Sequence, residues 1–195
     1  KTPLSEIIST LSLAKKTHNY EQAVDISLHS SFKLNKILES IIGMAHLSDI
    51  SYRKEKIDVS ILIDEILDEY KHEIAQKALS IKKDISSSKK YIKQNKEQVY
   101  LCLKNLISNA IKYSKLSGVI EIFFEKGVCI IQDYGVGIDK WNLKNIFQRY
   151  FRESYTSHEW FGLGLALVKK IVDINSWTLY VESQKGEFTK ITIKF

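Results

Sequence analysis

The sequence is poor in the residues that mark secreted, membrane-spanning or disulfide-stapled proteins. Its 195 residues include one proline and two cysteines, and no apolar run approaches the roughly 18–20 residues that a membrane span needs. The first residues lack the charged-then-apolar pattern of a signal peptide. Cys102 and Cys129 lie far apart within apolar segments, which favours buried thiols in a reducing compartment over a disulfide framework. We therefore expect a cytoplasmic chain with no membrane contact of its own.

Composition and charge exclude further classes. With 44% apolar and 27% charged residues, the chain is neither disordered nor fibrous, and its length suits one or two compact domains. The net charge of +6 comes almost entirely from lysine, and a basic balance can indicate nucleic-acid binding. Because the lysines are scattered, we favour solvated faces plus one phosphate site and expect no nucleic-acid partner.

The rare residues of the chain gather in three places, which are the extreme N-terminus, residues 133–137 and residues 149–164. They are the single proline, two of the three arginines and four of the eight glycines, namely Pro3, Arg149, Arg152, Gly135, Gly137, Gly162 and Gly164. We treat these three places as candidate functional sites.

Apolar residues at spacings of three and four predict two helices within the first 50 residues. They are Leu4, Ile7, Leu11 and Ala14 in the first helix and Leu34, Ile37, Ile41, Met44 and Ser48 in the second. The polar segment from Lys15 to Gln22 separates them as a turn. Because such a hairpin buries only one stripe of each helix, we expect it to pair with a second copy into a dimeric four-helix bundle. Packing on the rest of the same chain is the alternative.

The rest of the chain predicts an α+β fold, with helices on one face of a mixed sheet. Residues 51–59 lose the helical period and are interpreted as a linker, and Ser60 is the expected N-cap of the next helix. Predicted helices span 60–79, 95–114 and 162–175, and predicted strands span 80–85, 90–93, 118–125, 128–133, 177–183 and 187–195. We place the domain boundary between residues 1–52 and residues 53–195.

An amide-rich stripe lies on the helix predicted at 95–114. Asn105, Asn109 and Lys112 are spaced i, i+4 and i+7, so they share one face. Amide oxygens can bind Mg²⁺, which prefers hard oxygen ligands and retains waters and phosphate oxygens, and a lysine one turn further on suits a phosphate. Two asparagines on a helix are also typical of ordinary polar surface, so this pattern alone leaves both interpretations open.

Two glycine-containing turns add to this pattern. Asp133 ends a predicted strand and precedes Gly135 and Gly137, so the backbone can approach a planar ligand closely. The carboxylate can accept a hydrogen bond from an exocyclic amine, which favours adenine over guanine. Gly162 and Gly164 open a predicted helix, whose free N–H groups form a phosphate site. For the first turn, a plain turn that begins with aspartate is the alternative.

Two guanidinium groups lie just upstream of that helix. Arg149 and Arg152 belong to an aromatic segment, from which they could reach a terminal phosphate. An aromatic helix that packs on the core is the alternative for this segment.

Together these segments resemble the catalytic core of the bacterial sensor histidine kinases. N-L-I-S-N-A-I-K-Y-S (105–114) is similar to the family's N box, D-Y-G-V-G-I (133–138) to its G1 box, F-Q-R-Y-F-R (147–152) to its F box and G-L-G-L-A (162–166) to its G2 box. K-T-P-L (1–4) resembles the end of the H box. The boxes occur in the family's order and spacing, and the resemblance covers essentially the whole chain. It implies a dimerising helical hairpin followed by an α/β sandwich of the Bergerat ATP-binding type.

The resemblance also implies roles for individual residues. Asn109 would hold Mg²⁺, Lys112 would contact phosphate, Tyr113 would lie against adenine or ribose, and Asp133 would bind the adenine amino group. The remaining ATP contacts that it implies are glycines that allow close approach, residues that wrap the phosphates and arginines near the γ-phosphate, of which we favour Arg152. They are Gly135, Gly137, Gly162, Leu163, Gly164, Arg149 and Arg152.

Two further positions bear on the reaction. ATPases of the same superfamily carry a glutamate where Asn105 stands, and an amide cannot take a proton from water, so Asn105 disfavours hydrolysis. Thr2 matches the family position that helps to orient water when the kinase acts in reverse as a phosphatase. A simple first-turn helix residue is an equal alternative for Thr2.

The sequence departs from the family pattern at two points that matter. The phospho-accepting histidine is expected three positions before Lys1, so the chain as given should bind ATP but lack its normal acceptor. Trp160 replaces a glycine, which puts closure of a lid over about 139–161 in doubt more than binding. The five histidines are expected to be structural or solvated, and they are His18, His29, His46, His72 and His158.

The implied reaction is in-line transfer of the ATP γ-phosphoryl group to that histidine and then to an aspartate of a response-regulator receiver domain. Two alternatives stay open, a non-catalytic pseudokinase or phosphotransfer scaffold and an ATPase of the same superfamily. The resemblance also suggests that the parent protein is a larger, membrane-anchored sensor.

Overall fold

The chain begins with a helical hairpin whose two helices are defined by local capping. A computed structural model describes residues 2–46, 53–86, 89–148, 151 and 163–195. Helix α1 (Pro3–Thr17) has Thr2 as its N-cap and His18 as its C-cap, and His18 adopts a left-handed conformation with φ of 58°. Helix α2 (Tyr20–His46) follows after a two-residue turn, which is much shorter than the predicted turn from Lys15 to Gln22.

The most deeply buried of the described side chains in the hairpin are small. Ala14 and Ala23 are buried on facing sides of the hairpin, and the buried Ser30 donates a 2.8 Å hydrogen bond to Glu6 Oε2. The predicted seam of the first helix is therefore only partly inside the hairpin, because Leu4 and Leu11 are exposed by 54% and 47%. The side chains of Ile37, Ile41 and Met44, and Ser48 as a whole, lie outside the described residues.

Two helices and a two-stranded ribbon follow the hairpin. Strand β1 (Glu55–Asp58) lies within residues 51–59, so the prediction of a linker is wrong for these four residues. The helix predicted from Ser60 to Leu79 is divided at Tyr70 into α3 (Val59–Glu69) and α4 (Lys71–Gln76). Its N-cap is Asp58 rather than Ser60, because Asp58 Oδ1 accepts a 3.0 Å hydrogen bond from the Ser60 N–H.

The five-stranded sheet is mixed, as expected. Its strands are β2 (Ser80–Ile85), β4 (Val119–Glu125), β5 (Val128–Asp133), β6 (Thr178–Gln184) and β7 (Phe188–Lys194). Their order is β2-β4-β5-β7-β6, and only β2 and β4 run parallel. Strand β3 (Tyr91–Gln94) pairs instead with β1.

Helices α5 (Lys96–Tyr113) and α6 (Gly164–Ile174) pack together and share the core with one face of the sheet. Alternate residues of β4 point into this core, where Ile120, Ile122 and Phe124 are fully buried. Cys102 and Cys129 are buried in the same core as free thiols, as predicted. The α+β fold class is confirmed.

Helix α2 also contacts α6, so the hairpin and the α/β layer touch. The predicted boundary between residues 52 and 53 stays a prediction, since residues 47–52 are outside the described part of the chain. None of the helices in the described ranges is both long enough and apolar enough to cross a membrane.

Candidate functional site

Helix α5 carries a polar stripe on one face and a mostly apolar, buried face on the other. Asn95 caps the helix by accepting a 3.0 Å hydrogen bond from the Gln98 N–H. Asn105 donates from Nδ2 to the Leu101 carbonyl at 2.8 Å, and its Oδ1 faces Gly164 at the start of α6. Asn109 is half-buried, and its amide makes no hydrogen bond to another described residue. Such an amide can serve an incoming polar ligand.

The last turn of α5 carries a cation beside an aromatic ring. Lys112 Nζ lies 2.8 Å from the hydroxyl oxygen of Tyr113 and 4.4 Å from the centre of its ring. Tyr113 is itself exposed, so the pair forms a positively charged, partly aromatic rim at the end of the helix.

Strand β5 ends in a buried carboxyl group. Asp133 is only 5% exposed, and its Oδ1 accepts a 3.0 Å hydrogen bond from the Gly135 N–H. Burial raises the pKa of this carboxyl group from 3.8 to about 6. An under-solvated carboxylate of this kind is well suited to accept a hydrogen bond from an amine.

The turn after Asp133 passes so close to two other backbone segments that it requires glycine. A Cβ atom on Gly135 would lie 2.0 Å from the Tyr113 carbonyl oxygen. A Cβ atom on Gly137, whose φ is +60°, would lie 2.0 Å from the Gln184 carbonyl oxygen. The turn is therefore fitted between the end of α5 and the β6–β7 connection.

Hydrogen bonds hold the turn in that position from both sides. The Val136 N–H donates to the Tyr113 carbonyl at 3.1 Å, and the Val136 carbonyl accepts from the Gly186 N–H at 2.7 Å. The Ile138 N–H donates to Ser183 Oγ at 2.8 Å. Neither Gly186 nor Ser183 is among the site residues predicted from the sequence, because no local pattern marks a contact across 45 or more residues.

Helix α6 begins at the same edge of the fold. Leu163 occupies its N-cap position and is buried, and its side chain has no acceptor with which to cap the first N–H groups. Gly164 opens the helix, and a Cβ atom there would lie 2.7 Å from Asn105 Oδ1. The N-terminus of α6 thus lies against the polar stripe of α5.

The structure thus brings together most of the residues that the sequence singled out, namely Asn105, Asn109, Lys112, Tyr113, Asp133, Gly135, Gly137, Leu163 and Gly164. Arg149, Arg152, Gly162 and Trp160 lie outside the described residues. Thr2 lies at the other end of the chain, where its Oγ1 accepts a 3.3 Å hydrogen bond from the Ser5 N–H and caps α1. This contact accounts for Thr2 as a helix-capping residue.

The site suits a metal ion that takes one ligand from the protein and the rest from water and phosphate oxygens. Within the described ranges, no group of three or more His, Cys, Asp or Glu side chains could hold a metal. A single amide oxygen, such as that of Asn109, fits Mg²⁺, because Mg²⁺ keeps several waters and takes phosphate oxygens as ligands.

Replacement of Asp133 by asparagine is expected to stabilise the ligand-free protein. Because the fold raises the pKa of Asp133 to about 6, this group favours folding below about pH 3.8 and loses that contribution as the pH rises through about 6. Asp133→Asn keeps an oxygen for the Gly135 N–H and removes the buried charge. We expect a gain of about 1–3 kcal/mol in the free energy of unfolding at pH 7.5, shrinking towards zero near pH 4.

Urea unfolding between pH 4 and pH 8 measures this difference. The control is Asp139→Asn, since Asp139 lies on the same connection and its side chain is 47% exposed. An Asp133→Asn variant that is less stable than the parent at pH 7.5 would contradict the prediction.

Comparison with known proteins identifies the family of the C-terminal half of the chain. Residues 94–195, just over half of the chain, match the family described as histidine kinase-, DNA gyrase B-, and HSP90-like ATPase. The chain is 28% identical to the heme sensor protein HssS of Staphylococcus saprophyticus, over 100% of this chain and 44% of that protein. It is 26% identical to the adaptive-response sensory kinase SasA of Rippkaea orientalis, over 93% of this chain and 50% of that protein.

A solved structure shows the same fold. The histidine kinase AdeS of Acinetobacter baumannii superimposes with a TM-score of 0.76 at 21% identity, over 99% of this chain and 95% of that one. The chain spans about half the length of the curated relatives named above. The chain therefore belongs to the family of histidine kinase-, DNA gyrase B- and HSP90-like ATPases, and within it to the catalytic cores of sensor histidine kinases.

Proposed function

We propose that this chain binds Mg-ATP and transfers the γ-phosphoryl group to a histidine of the intact kinase, from which it passes to an aspartate of a response-regulator receiver domain. The observation that carries the proposal is the meeting of three elements at one edge of the fold. They are the amide stripe of α5, the glycine turn after Asp133 and the open N-terminus of α6.

The adenine ring is assigned to the turn after β5. Asp133 accepts a hydrogen bond from the exocyclic amine, and its low exposure makes this bond strong because little water competes for the carboxylate. Gly135 and Gly137 let the turn pack against the carbonyls of Tyr113 and Gln184, which fixes the backbone beside which the planar ring is assigned. Tyr113, exposed at the rim, lies against the ring or the ribose.

The phosphates are assigned to the space between α5 and α6. The first N–H groups of α6, at Leu163 and Gly164, are donors at the positive end of the helix dipole. Lys112 supplies a positive charge from the last turn of α5. Arg149 and Arg152 are proposed γ-phosphate contacts, with Gly162 in the phosphate loop.

Mg²⁺ is assigned to Asn109, where it would neutralise phosphate charge during in-line transfer. Asn105 stands where the hydrolytic members of the superfamily carry a glutamate. Its Nδ2 is committed to the Leu101 carbonyl, and an amide cannot act as a general base towards water. The site therefore favours transfer to a bound acceptor over hydrolysis, which argues against the ATPase alternative.

Loss of the Asn109 amide is expected to remove metal-dependent nucleotide binding. Asn109→Ala deletes the proposed ligand, so we expect the affinity for ATP in the presence of Mg²⁺ to fall by roughly tenfold or more, while the weaker affinity in EDTA stays unchanged. Isothermal titration calorimetry with and without Mg²⁺ measures both values. Ser108→Ala, one position earlier on α5, is the control, and equal Mg²⁺ dependence in Asn109→Ala would sink the assignment.

The phosphoryl acceptor is proposed to precede Lys1 by three positions in the intact protein. This assignment comes from the resemblance of residues 1–4 to the end of the H box. The capping of α1 by Thr2 is compatible with a further phosphatase role for this residue, which stays a proposal.

Restoring the upstream segment tests the acceptor. With labelled ATP and Mg²⁺, the extended protein is expected to gain acid-labile, alkali-stable label, and the 195-residue chain none. Replacement of the upstream histidine by glutamine is the matched control. Label on the 195-residue chain itself would contradict the acceptor assignment, and absence of label with intact ATP binding would favour the pseudokinase or scaffold alternative.

The hairpin is proposed to form a homodimer. Three apolar residues at helical spacing, Leu4, Ile8 and Leu11, are exposed on α1, although their neighbours Ala14 and Ile7 face inward. Helix α2 exposes a second stripe of Tyr20, Val24 and Leu28. Stripes of this kind are typical of helices that lie in a bundle of four.

A charge in the α1 stripe is expected to break the dimer. Leu11→Glu places one carboxylate per protomer in the proposed interface, so we expect the dimer dissociation constant to rise about 100-fold or more. Size-exclusion chromatography with light scattering measures it across a dilution series. The exposed neighbour Ser12→Glu should leave the dimer intact. A parent chain that is monomeric at high concentration, or a Leu11→Glu dimer of unchanged affinity, would refute the proposal.

A further inference from the structure

A lysine outside all of the recognised motifs holds the end of α5. Lys77 Nζ donates to the carbonyl oxygens of Ile111 at 2.9 Å, Lys112 at 2.5 Å and Ser114 at 3.2 Å. An ammonium group has three N–H donors, and here each can meet one carbonyl oxygen. The three acceptors lie 34, 35 and 37 residues away from Lys77 in sequence.

These contacts complete the hydrogen bonding at the C-terminal end of α5. The last carbonyls of a helix have no partner within the helix. The Ala110 carbonyl accepts from the Ser114 N–H at 3.0 Å and from Ser114 Oγ at 2.7 Å, and the Tyr113 carbonyl accepts from the Val136 N–H. The carbonyls of Ile111 and Lys112 accept hydrogen bonds from Lys77 Nζ. One side chain therefore supplies the donors that the end of the helix lacks.

Lys77 is itself held in place at its backbone. Its N–H donates to the Glu73 carbonyl at 3.1 Å, and its carbonyl accepts from the Ser117 N–H at 2.8 Å. The next residue, Ala78, has a φ of +49°, a conformation that turns the chain sharply after α4. Burial lowers the pKa of the Lys77 ammonium group. Removing a charge from water is costly unless hydrogen bonds replace the lost water. The three carbonyls supply those hydrogen bonds to the partly buried Lys77.

Lys77 holds the last turn of α5, and this helical turn is part of the proposed nucleotide site. It carries the side chains of Lys112 and Tyr113, and its Tyr113 carbonyl abuts Gly135 and accepts from Val136. A shift of these carbonyls would move the phosphate-side lysine and the adenine-side turn together. Lys77 has no place in the site itself, so its influence must be exerted through the backbone.

We propose that Lys77 is a positioning residue for nucleotide binding, which fixes the last turn of α5 relative to the glycine turn after Asp133. This inference rests on the proposed function, since it assigns the same site to ATP. Lys77→Met keeps the length and apolar volume of the side chain and removes its donors. We expect Lys77→Met to bind ATP roughly tenfold more weakly than the parent chain while remaining folded.

The matched control is Lys71→Met, which removes the same charge at the other end of α4. Lys71 is exposed and contacts only the Asp68 carboxylate, at 3.1 Å, among the described residues. Affinity is measured by calorimetry well below the unfolding temperature of each variant, and folding is checked by circular dichroism. A parent chain that binds no ATP would refute the proposed function, whereas parent-like affinity in Lys77→Met would refute the role of Lys77 alone.

Chemical rescue separates positioning from general stability. Lys77→Ala leaves a space that matches the missing propylammonium portion of the side chain, so n-propylammonium ions should restore ATP affinity in Lys77→Ala. They should not affect Lys71→Ala, and n-propanol should not substitute for them. Folded Lys77→Ala without rescue would overturn the proposal. So would variants that unfold with and without the amine, because Lys77 would then serve the stability of the whole domain.

Discussion

The close approach of two backbone segments, at Tyr113 and Gly135, is the constraint on which the site depends. The end of α5 and the turn after β5 come near enough that a single methyl group at residue 135 would lie 2.0 Å from the Tyr113 carbonyl oxygen. One hydrogen bond, from the Val136 N–H to that same oxygen, joins them. Because the amide stripe of α5 and the carboxyl group of Asp133 lie on opposite sides of this contact, its geometry sets the distance between the two halves of the site.

Two charged groups near this contact are shielded from water, Asp133 almost completely and Lys77 in part. The Asp133 carboxyl group has its pKa raised by burial, and the Lys77 ammonium group has its pKa lowered by burial. In the ligand-free protein each of these charges costs folding free energy. Asp133 accepts a hydrogen bond from the Gly135 N–H and would accept a second one from the adenine amine in the proposed complex, whereas Lys77 donates to three carbonyls of α5.

The hairpin uses its residues in a different way. Among the described side chains, the fully buried ones inside the hairpin are Ala14, Ala23 and Ser30, and Ser30 donates a hydrogen bond to Glu6. Larger apolar side chains such as Ile8 and Leu28 remain on the outside. Leaving these side chains in water is unfavourable, which is why a second copy of the hairpin is the occupant that we propose.

The sequence by itself determined the features that depend on neighbours a few residues apart. Helix α5, strands β4 and β5, the turn glycines after Asp133 and the α+β class were all predicted. Only the tertiary structure decided that residues 55–58 form a strand, that Tyr70 divides a predicted helix, and that Ser183, Gly186 and Lys77 support the site. The strand and the three supporting residues depend on partners from about 30 to more than 45 residues away, whose proximity is set by packing of the sheet and helices and leaves no local pattern in the chain.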